Sequence, residues 1–204
     1  MKKTNRIEDT KRADFVEKVV KVDLRAALKM VEEIEDFEAK SIAFLHVFKF
    51  TNNEEFLGKA ISYAIQCKQR DGILLMIVES IARCNRKKAE KIAELIQKEY
   101  YKNKAYATIL EECNAIELAK KITCKRILSS SLKRISLQTN SIEIAMEIPD
   151  PYYKALALIS LAELKSDEKN EKKEIIRMIK EAIESIKSEY LKKRLKRKLK
   201  SIDQ

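Results

Sequence analysis

The sequence predicts an all-α protein. Three observations carry that expectation. Glycine and proline occur only twice each in 204 residues. Lys, Glu, Ile, Leu and Ala, most of them good helix formers, dominate the chain. Apolar residues recur at i, i+3, i+4 and i+7 along nearly its whole length. An all-β fold needs many turns of positive φ, which glycine normally supplies, and nucleotide-binding α/β folds need glycine-rich phosphate loops. Gly58 and Gly72 alone supply neither.

Apolar residues make up 45% of the chain and charged residues 37%, which suits a folded and strongly charged protein. The longest apolar run, Ile73 to Val78, is far short of the roughly 20 residues a membrane span needs. No apolar stretch follows the basic start, so a secretory signal is not expected, and the cytoplasm is the expected compartment.

Each element has its own sequence warrant. Ile7 to Val22 reads as a leading half-unit (residues 1–22), with Ala13, Val16, Val19 and Val20 facing inward. Six units follow, anchored at Val31, Ala64, Ala93, Ala119, Ala145 and Ile183. In the first helix of each unit, four positions before the anchor stand Ala27, Ala60, Ala89, Ala115, Ser141 and Ile179. Three after it stand Ile34, Cys67, Ile96, Ile122, Ile148 and Ile186. With Met30, Tyr63, Ile92, Leu118, Ile144 and Ala182 directly before the anchors, these columns share one helix face. The second helices carry Ala43, Met76, Ala105, Ser131, Ala157 and Leu195, then Val47, Ser80, Ile109, Ile135, Leu161 and Leu199. Asp150-Pro151 reads as an N-cap with proline in the first turn, Asp36 occupies the same column, and Asp71-Gly72 reads as a turn. Thr51-Asn52-Asn53, Asn85, Asn114, Thr139-Asn140 and Ser166-Asp167 read as junctions between units.

A helix pair alone cannot bury its apolar face, so neighbours stack, and such stacks wind into superhelices. The expected architecture is a right-handed αα-superhelix, or solenoid, of about six degenerate helix-hairpin repeats. Residues 1–204 would form a single domain that ends in a basic capping hairpin at 167–204. The small-x2-apolar-Ala-x2-Ile half and the Lys-Ala-x-Ala-Leu half, seen at Lys154, Ala155, Ala157 and Leu158 and echoed at Lys40, Ala43 and Phe44, resemble the αα-repeat proteins. This is the broad tetratricopeptide-like and HEAT-like class. The resemblance runs from Ala13 to Ile202. With no tryptophan and no fixed period, it names no subfamily. It implies a scaffold that binds a protein or peptide partner.

Sites of chemistry are sparse. Cys67, Cys84, Cys113 and Cys124 have neither disulfide-framework nor zinc spacing, and they read as buried or half-buried thiols. Cys124, beside Lys121, Lys125 and Arg126, falls in a turn column. His46 reads as a helix histidine with a satisfied hydrogen bond. Tyr100-Tyr101 and Tyr152-Tyr153 read as junction doublets, one ring of each packing inward. No catalytic motif, cofactor site or metal site is recognised, so the expectation is not an enzyme.

The tail is the most informative local feature. From Lys187 to Lys200, eight basic residues stand against Glu189 alone and hold seven of the chain's +11 net charge. Leu191, Leu195, Leu199 and Ile202 share one helix face, opposite a cationic ridge. Lys192, Lys193, Lys196, Arg197 and Lys200 are the candidate contacts to phosphate or to an acidic partner. Binding to RNA or DNA phosphates through them is the alternative to the protein-binding scaffold. A polar capping helix and a membrane-surface helix are the other readings of the ridge.

Overall fold

Short polar side chains set the boundaries of the helices. A computed structural model describes residues 3–164 and 169–202, with side chains for 6–164 and 172–202. The elements are α1 (Lys3–Val19), α2 (Leu24–Glu32), α3 (Phe37–Thr51), α4 (Glu54–Gln66), α5 (Arg70–Ile81), α6 (Arg86–Leu95) and α7 (Glu99–Cys113). A 3-10 segment (Ile116–Lys121) precedes α8 (Lys125–Gln138), α9 (Ile142–Met146), α10 (Pro151–Leu164), α11 (Lys169–Glu184) and α12 (Glu189–Lys200). Among the described residues there is no strand, and no helix is long and apolar enough to cross a membrane.

Asp23, Asp36, Asn53, Asn85, Ser141 and Ser188 each cap the following helix by accepting a backbone N–H. Asp150 Oδ1 accepts from Tyr152 N at 2.9 Å and Tyr153 N at 3.2 Å, with Pro151 opening α10. At Asn52, Asn114 and Asn140 the backbone turns left-handed, with φ of 52°, 51° and 52°. Asparagine thus does at these junctions what glycine does in most helix terminations. The Ser166-Asp167 junction lies outside the described residues, as do the first residues of the expected capping hairpin.

The chain divides into two compact units, residues 1–109 and 110–204, with the division falling inside α7. In the first, α3 packs against α1, α2, α4 and α5, and α5 packs against α4 and α6. In the second, α10 is central and contacts α8, α9, α11 and α12. The isoleucine column is buried as expected at Ile34, Ile96, Ile122, Ile148 and Ile186. The leading half-unit buries Ala13, Val16 and Val20.

Three expectations need correction. Asp71-Gly72 is not a turn: both residues lie in the first turn of α5, and the connection is Cys67 to Gln69. In α5 the inward stripe is not Met76 and Ser80. Met76 is 41% exposed, while Ile73 and Ile77, three residues earlier, are buried. The apolar run Ile73 to Val78 offers several faces, and burial of Ile73, Leu74, Ile77, Val78 and Ile81 selects the earlier register. Finally, the first helix of the fourth unit is 3-10 rather than α. The segment has only six residues before the extended Ile122, too few for several α-helical turns.

The shifted register exposes a further column. Two positions before the inward Ala43, Ile73, Ala105 and Ser131 stand Ser41, Asp71, Asn103 and Ser129, all buried polar residues. Asp9 of α1 is buried likewise. Asp9 Oδ2 accepts the backbone N–H groups of Glu35 (3.0 Å) and Asp36 (2.8 Å) in the α2–α3 turn. The Asp71 carboxylate accepts those of Gln97 (3.1 Å) and Lys98 (2.8 Å) in the α6–α7 turn. Ser129 Oγ accepts from Asp150 N at 3.2 Å. Asp9, Asp71 and Ser129 thus satisfy turn N–H groups, whereas Ser41 donates to the Ala60 carbonyl and Asn103 to the Glu99 carbonyl.

One sequence offset, Asp9 to Asp71, also carries Asp23 to Asn85, Leu24 to Arg86, Phe37 to Glu99, Thr51 to Cys113 and Asn52 to Asn114. It carries the Lys40 Nζ to Glu32 carbonyl bond (3.3 Å) onto that of Lys102 Nζ to the Glu94 carbonyl (3.4 Å). Arg12 donates to the Glu33 carbonyl at 3.2 Å, and Arg70 donates to the matching Leu95 carbonyl at 2.7 Å.

Candidate functional site

The basic tail folds as α12, whose N-cap Ser188 Oγ accepts from Leu191 N at 3.4 Å. Leu195, Leu199 and Ile202 are buried in the core of the second unit, and Leu191 is half-buried against it. This burial fixes the rotation of the helix and turns its opposite face to solvent.

The five candidate cations divide into two groups. Lys192 and Lys196 are held by Glu184, the last residue of α11. Lys196 Nζ lies 2.7 Å from Glu184 Oε1, and Lys192 Nζ lies 3.5 Å from Oε2. Lys192 also lies 3.5 Å from Glu189. The Lys196 hydrogen bond and charge hold the Glu184 carboxyl below its ordinary value, and the same bond holds Lys196 above its own. Lys193, Arg197 and Lys200 are exposed and make no ion pair among the described residues. So are Arg194 and Lys198, which the sequence reading counted in the tail but left out of the candidate set. Their signal was available: on the helical wheel Arg194 lies about 60° from Arg197, and Lys198 about 40° beyond Arg194.

The first unit has a different surface. His46, Lys49 and Phe50 of α3, with Glu17 of α1 and Val20 and Lys21 of the turn after it, line a depression of about 130 Å³. On the other side of α3 a depression of about 350 Å³ is floored by Phe48, Leu57 and Ile81 and rimmed by Lys49, Asn52 and Cys84. Lys49 lines both. It makes no ion pair among the described residues, whereas Glu54 on the rim is paired with Lys88. Phe50 beside it is 53% exposed. Cys84 is exposed, which corrects the expectation of four buried or half-buried thiols; the other three are half-buried.

His46 Nδ1 lies 3.9 Å from Glu17 Oε2. Burial pushes its pKa below the ordinary 6.5, although Glu17 works in the opposite direction. Burial also pushes the Cys67 thiol up. Among the described residues no group of three or more His, Cys, Asp or Glu is placed to hold a metal ion.

Sequence reading missed an aromatic ladder between α3 and α4. Phe37, Lys40 and Phe44 stand at i, i+3 and i+7, and Phe56, Lys59 and Tyr63 repeat that spacing. The two triplets interdigitate. Phe44 stacks on Tyr63 at 5.7 Å and on Phe56 at 6.3 Å, with Phe37 5.7 Å from Tyr63. Lys40 sits over Tyr63, and Lys59 over Phe44 and Phe56. The tyrosine doublets are edge-on pairs. Tyr100 is exposed beneath Lys104 while Tyr101 is half-buried, and Tyr152 and Tyr153 are both half-buried.

No protein-family model, curated protein or solved structure matches the chain. Function therefore rests on these surfaces alone.

Proposed function

We propose that the chain is a non-enzymatic helical-repeat scaffold, its hairpins stacked as a degenerate αα-superhelix, and that it binds a protein or peptide partner along α3. The matched bonds of Asp9 and Asp71, and of Lys40 and Lys102, support the repeat. They reproduce one tertiary device at one sequence offset, which amphipathic periodicity alone does not require.

The observation that carries the binding reading is the paired depression on either side of Lys49, with its apolar floor and exposed Phe50. Two adjoining open hollows suit two side chains of a peptide better than one enclosed small molecule. The unpaired Lys49 ammonium between them favours a ligand with an acidic residue beside apolar ones.

A displayed peptide library, selected against the full chain, tests this. Enriched peptides are expected to combine acidic and apolar residues, shift the amide resonances around Lys49 and Phe50, and shield the exposed Cys84 thiol from a maleimide. Lys49→Glu with Phe50→Ser is expected to abolish those effects. Failure to enrich any peptide, or enriched peptides that bind this double variant unchanged, would overturn the reading.

A further inference from the structure

The free cations of α12 lie on one side of the helix. At 100° per residue, Lys200, Lys193, Arg197, Arg194 and Lys198 fan over roughly 160° of the wheel. Their Cα positions span roughly 10 Å of axis, or one unpaired positive charge per roughly 2 Å. The opposite face is occupied, with Leu195 and Leu199 buried in the core. The flank toward α11 is occupied too, by the Glu184 pairs.

From this arrangement we propose that α12 is a binding site for duplex DNA, engaging the phosphate backbone without reading base sequence. The argument goes beyond the partner-binding reading of α3: it concerns another surface in the other unit, and neither stands or falls with the other.

Duplex DNA presents one negative charge per about 1.7 Å of axis, close to the density of free cations on α12. Its major groove, about 12 Å wide, admits an α-helix and has phosphates on both walls. A wide fan of long cationic side chains reaches both walls, whereas a narrow stripe reaches one. A-form RNA closes that groove to side chains, so duplex RNA fits less well. A membrane surface needs apolar side chains to insert, and on α12 Leu195 and Leu199 are buried in the protein while Leu191 is half-buried against it. Asn, Gln, Ser and Thr, the neutral side chains that read base edges, are absent from Glu189 to Lys200. With cations spaced about as densely as the phosphates, contact with phosphates dominates.

Glu184 has a definite place in this site. Its single negative charge is shared between Lys196, which adjoins the fan at Lys200, and Lys192, which is also paired with Glu189. Removing its charge frees cations without touching any proposed contact residue. A merely structural role for the ion pairs would not raise affinity for DNA.

The test is fluorescence anisotropy of the full chain with a short labelled duplex of mixed sequence, titrated across a range of NaCl concentrations. The logarithm of the binding constant is expected to fall linearly with the logarithm of salt, at about 0.9 per phosphate contacted. Triple reversal by Lys193→Glu, Arg197→Glu and Lys200→Glu should lower affinity by at least tenfold and flatten the slope, with circular dichroism unchanged. The Lys193→Arg and Lys200→Arg double variant should retain both. Glu184→Gln should steepen the slope by about one contact and raise affinity roughly five- to tenfold at 0.1 M salt. The proposal is overturned by any of three results: no binding at low salt, a triple reversal with unchanged slope, or phosphatidylserine vesicles or polyglutamate binding as tightly as the duplex.

Discussion

The carboxylate of Asp71, buried in the first turn of α5, accepts the backbone N–H of Lys98 at 2.8 Å and ties α5 to the turn ahead of α7. It also accepts from Gln97, and Arg70 Nε lies 3.6 Å from its Oδ1. Hydrogen bonds to a charged acceptor contribute about 1.5–3 kcal/mol each, and unpaired buried donors carry a further penalty. Asp71→Ala is therefore expected to destabilise the fold by about 3 kcal/mol or more, and Asp9→Ala by a similar amount. Asp71→Asn keeps one acceptor oxygen and should fall between Ala and the native residue. Urea denaturation of the three variants checks the order. Equal stability of Asp71→Ala and the native chain would remove the clamp from the account of the fold.

That clamp marks the limit of what could be read from the sequence. The isoleucine column was legible because burial of an aliphatic residue needs only a period and an amphipathic face, and both are local properties. Asp71 was misread because Asp-Gly is a common turn signal, and its partner backbone lies a whole hairpin away. The same distance hid the register of α5. Ile73 to Val78 is apolar at nearly every position, so periodicity within the run could not choose between Ile73 and Met76. The seven basic residues of α12 were plain. What separates Lys193 from Lys196 is Glu184 on another helix, and no wheel of α12 contains it.

The aromatic ladder should be a major tie between α3 and α4. Phe44, stacked between Tyr63 and Phe56, is nearly buried, and Phe44→Ala is expected to destabilise the fold by about 3–5 kcal/mol. Lys59 lies 5.7 Å from the Phe44 centroid and 5.6 Å from the Phe56 centroid at a partly exposed site. A cation there is worth only about 0.5–1 kcal/mol. Lys59→Met should thus be mild alone. A double-mutant cycle of Lys59→Met with Phe44→Leu should return a coupling of about 0.5 kcal/mol. A coupling indistinguishable from zero would make the ladder a matter of apolar packing only.

His46 makes stability depend on pH in a direction that can be stated. Its folded-state pKa is depressed below 6.5 by burial, so the unfolded chain takes up the proton first as pH falls. The contribution of neutral His46 is complete above 6.5 and is lost as pH falls through the depressed value. The charges facing the ring are Glu17 and Asp14 of α1, Lys21 of the turn after it and Lys49 of its own helix. Glu17→Gln removes the main opposing influence and should deepen the loss on acidification. His46→Gln should flatten the melting temperature over the pH unit below 6.5, where ordinary carboxylates remain charged. An unaltered profile in His46→Gln would assign the dependence to other groups.

Asn52 offers the cleanest test of how a chain with so little glycine ends its helices. Its φ of 52° lies in the left-handed region, and its N–H closes α3 by donating to the Phe48 carbonyl at 2.7 Å. Asn114 and Asn140 repeat the conformation. A residue with a Cβ and no local polar compensation is disfavoured there by about 1–2 kcal/mol, whereas glycine is not. Asn52→Ala is therefore expected to lower stability by about 1 kcal/mol, and Asn52→Gly to leave it within a few tenths. Because the three sites lie at separate junctions, the triple Ala variant should show close to the sum of the single effects, read from the urea midpoint at constant slope. If glycine proved as damaging as alanine at Asn52, the side-chain amide rather than the backbone angle would be what the junction requires.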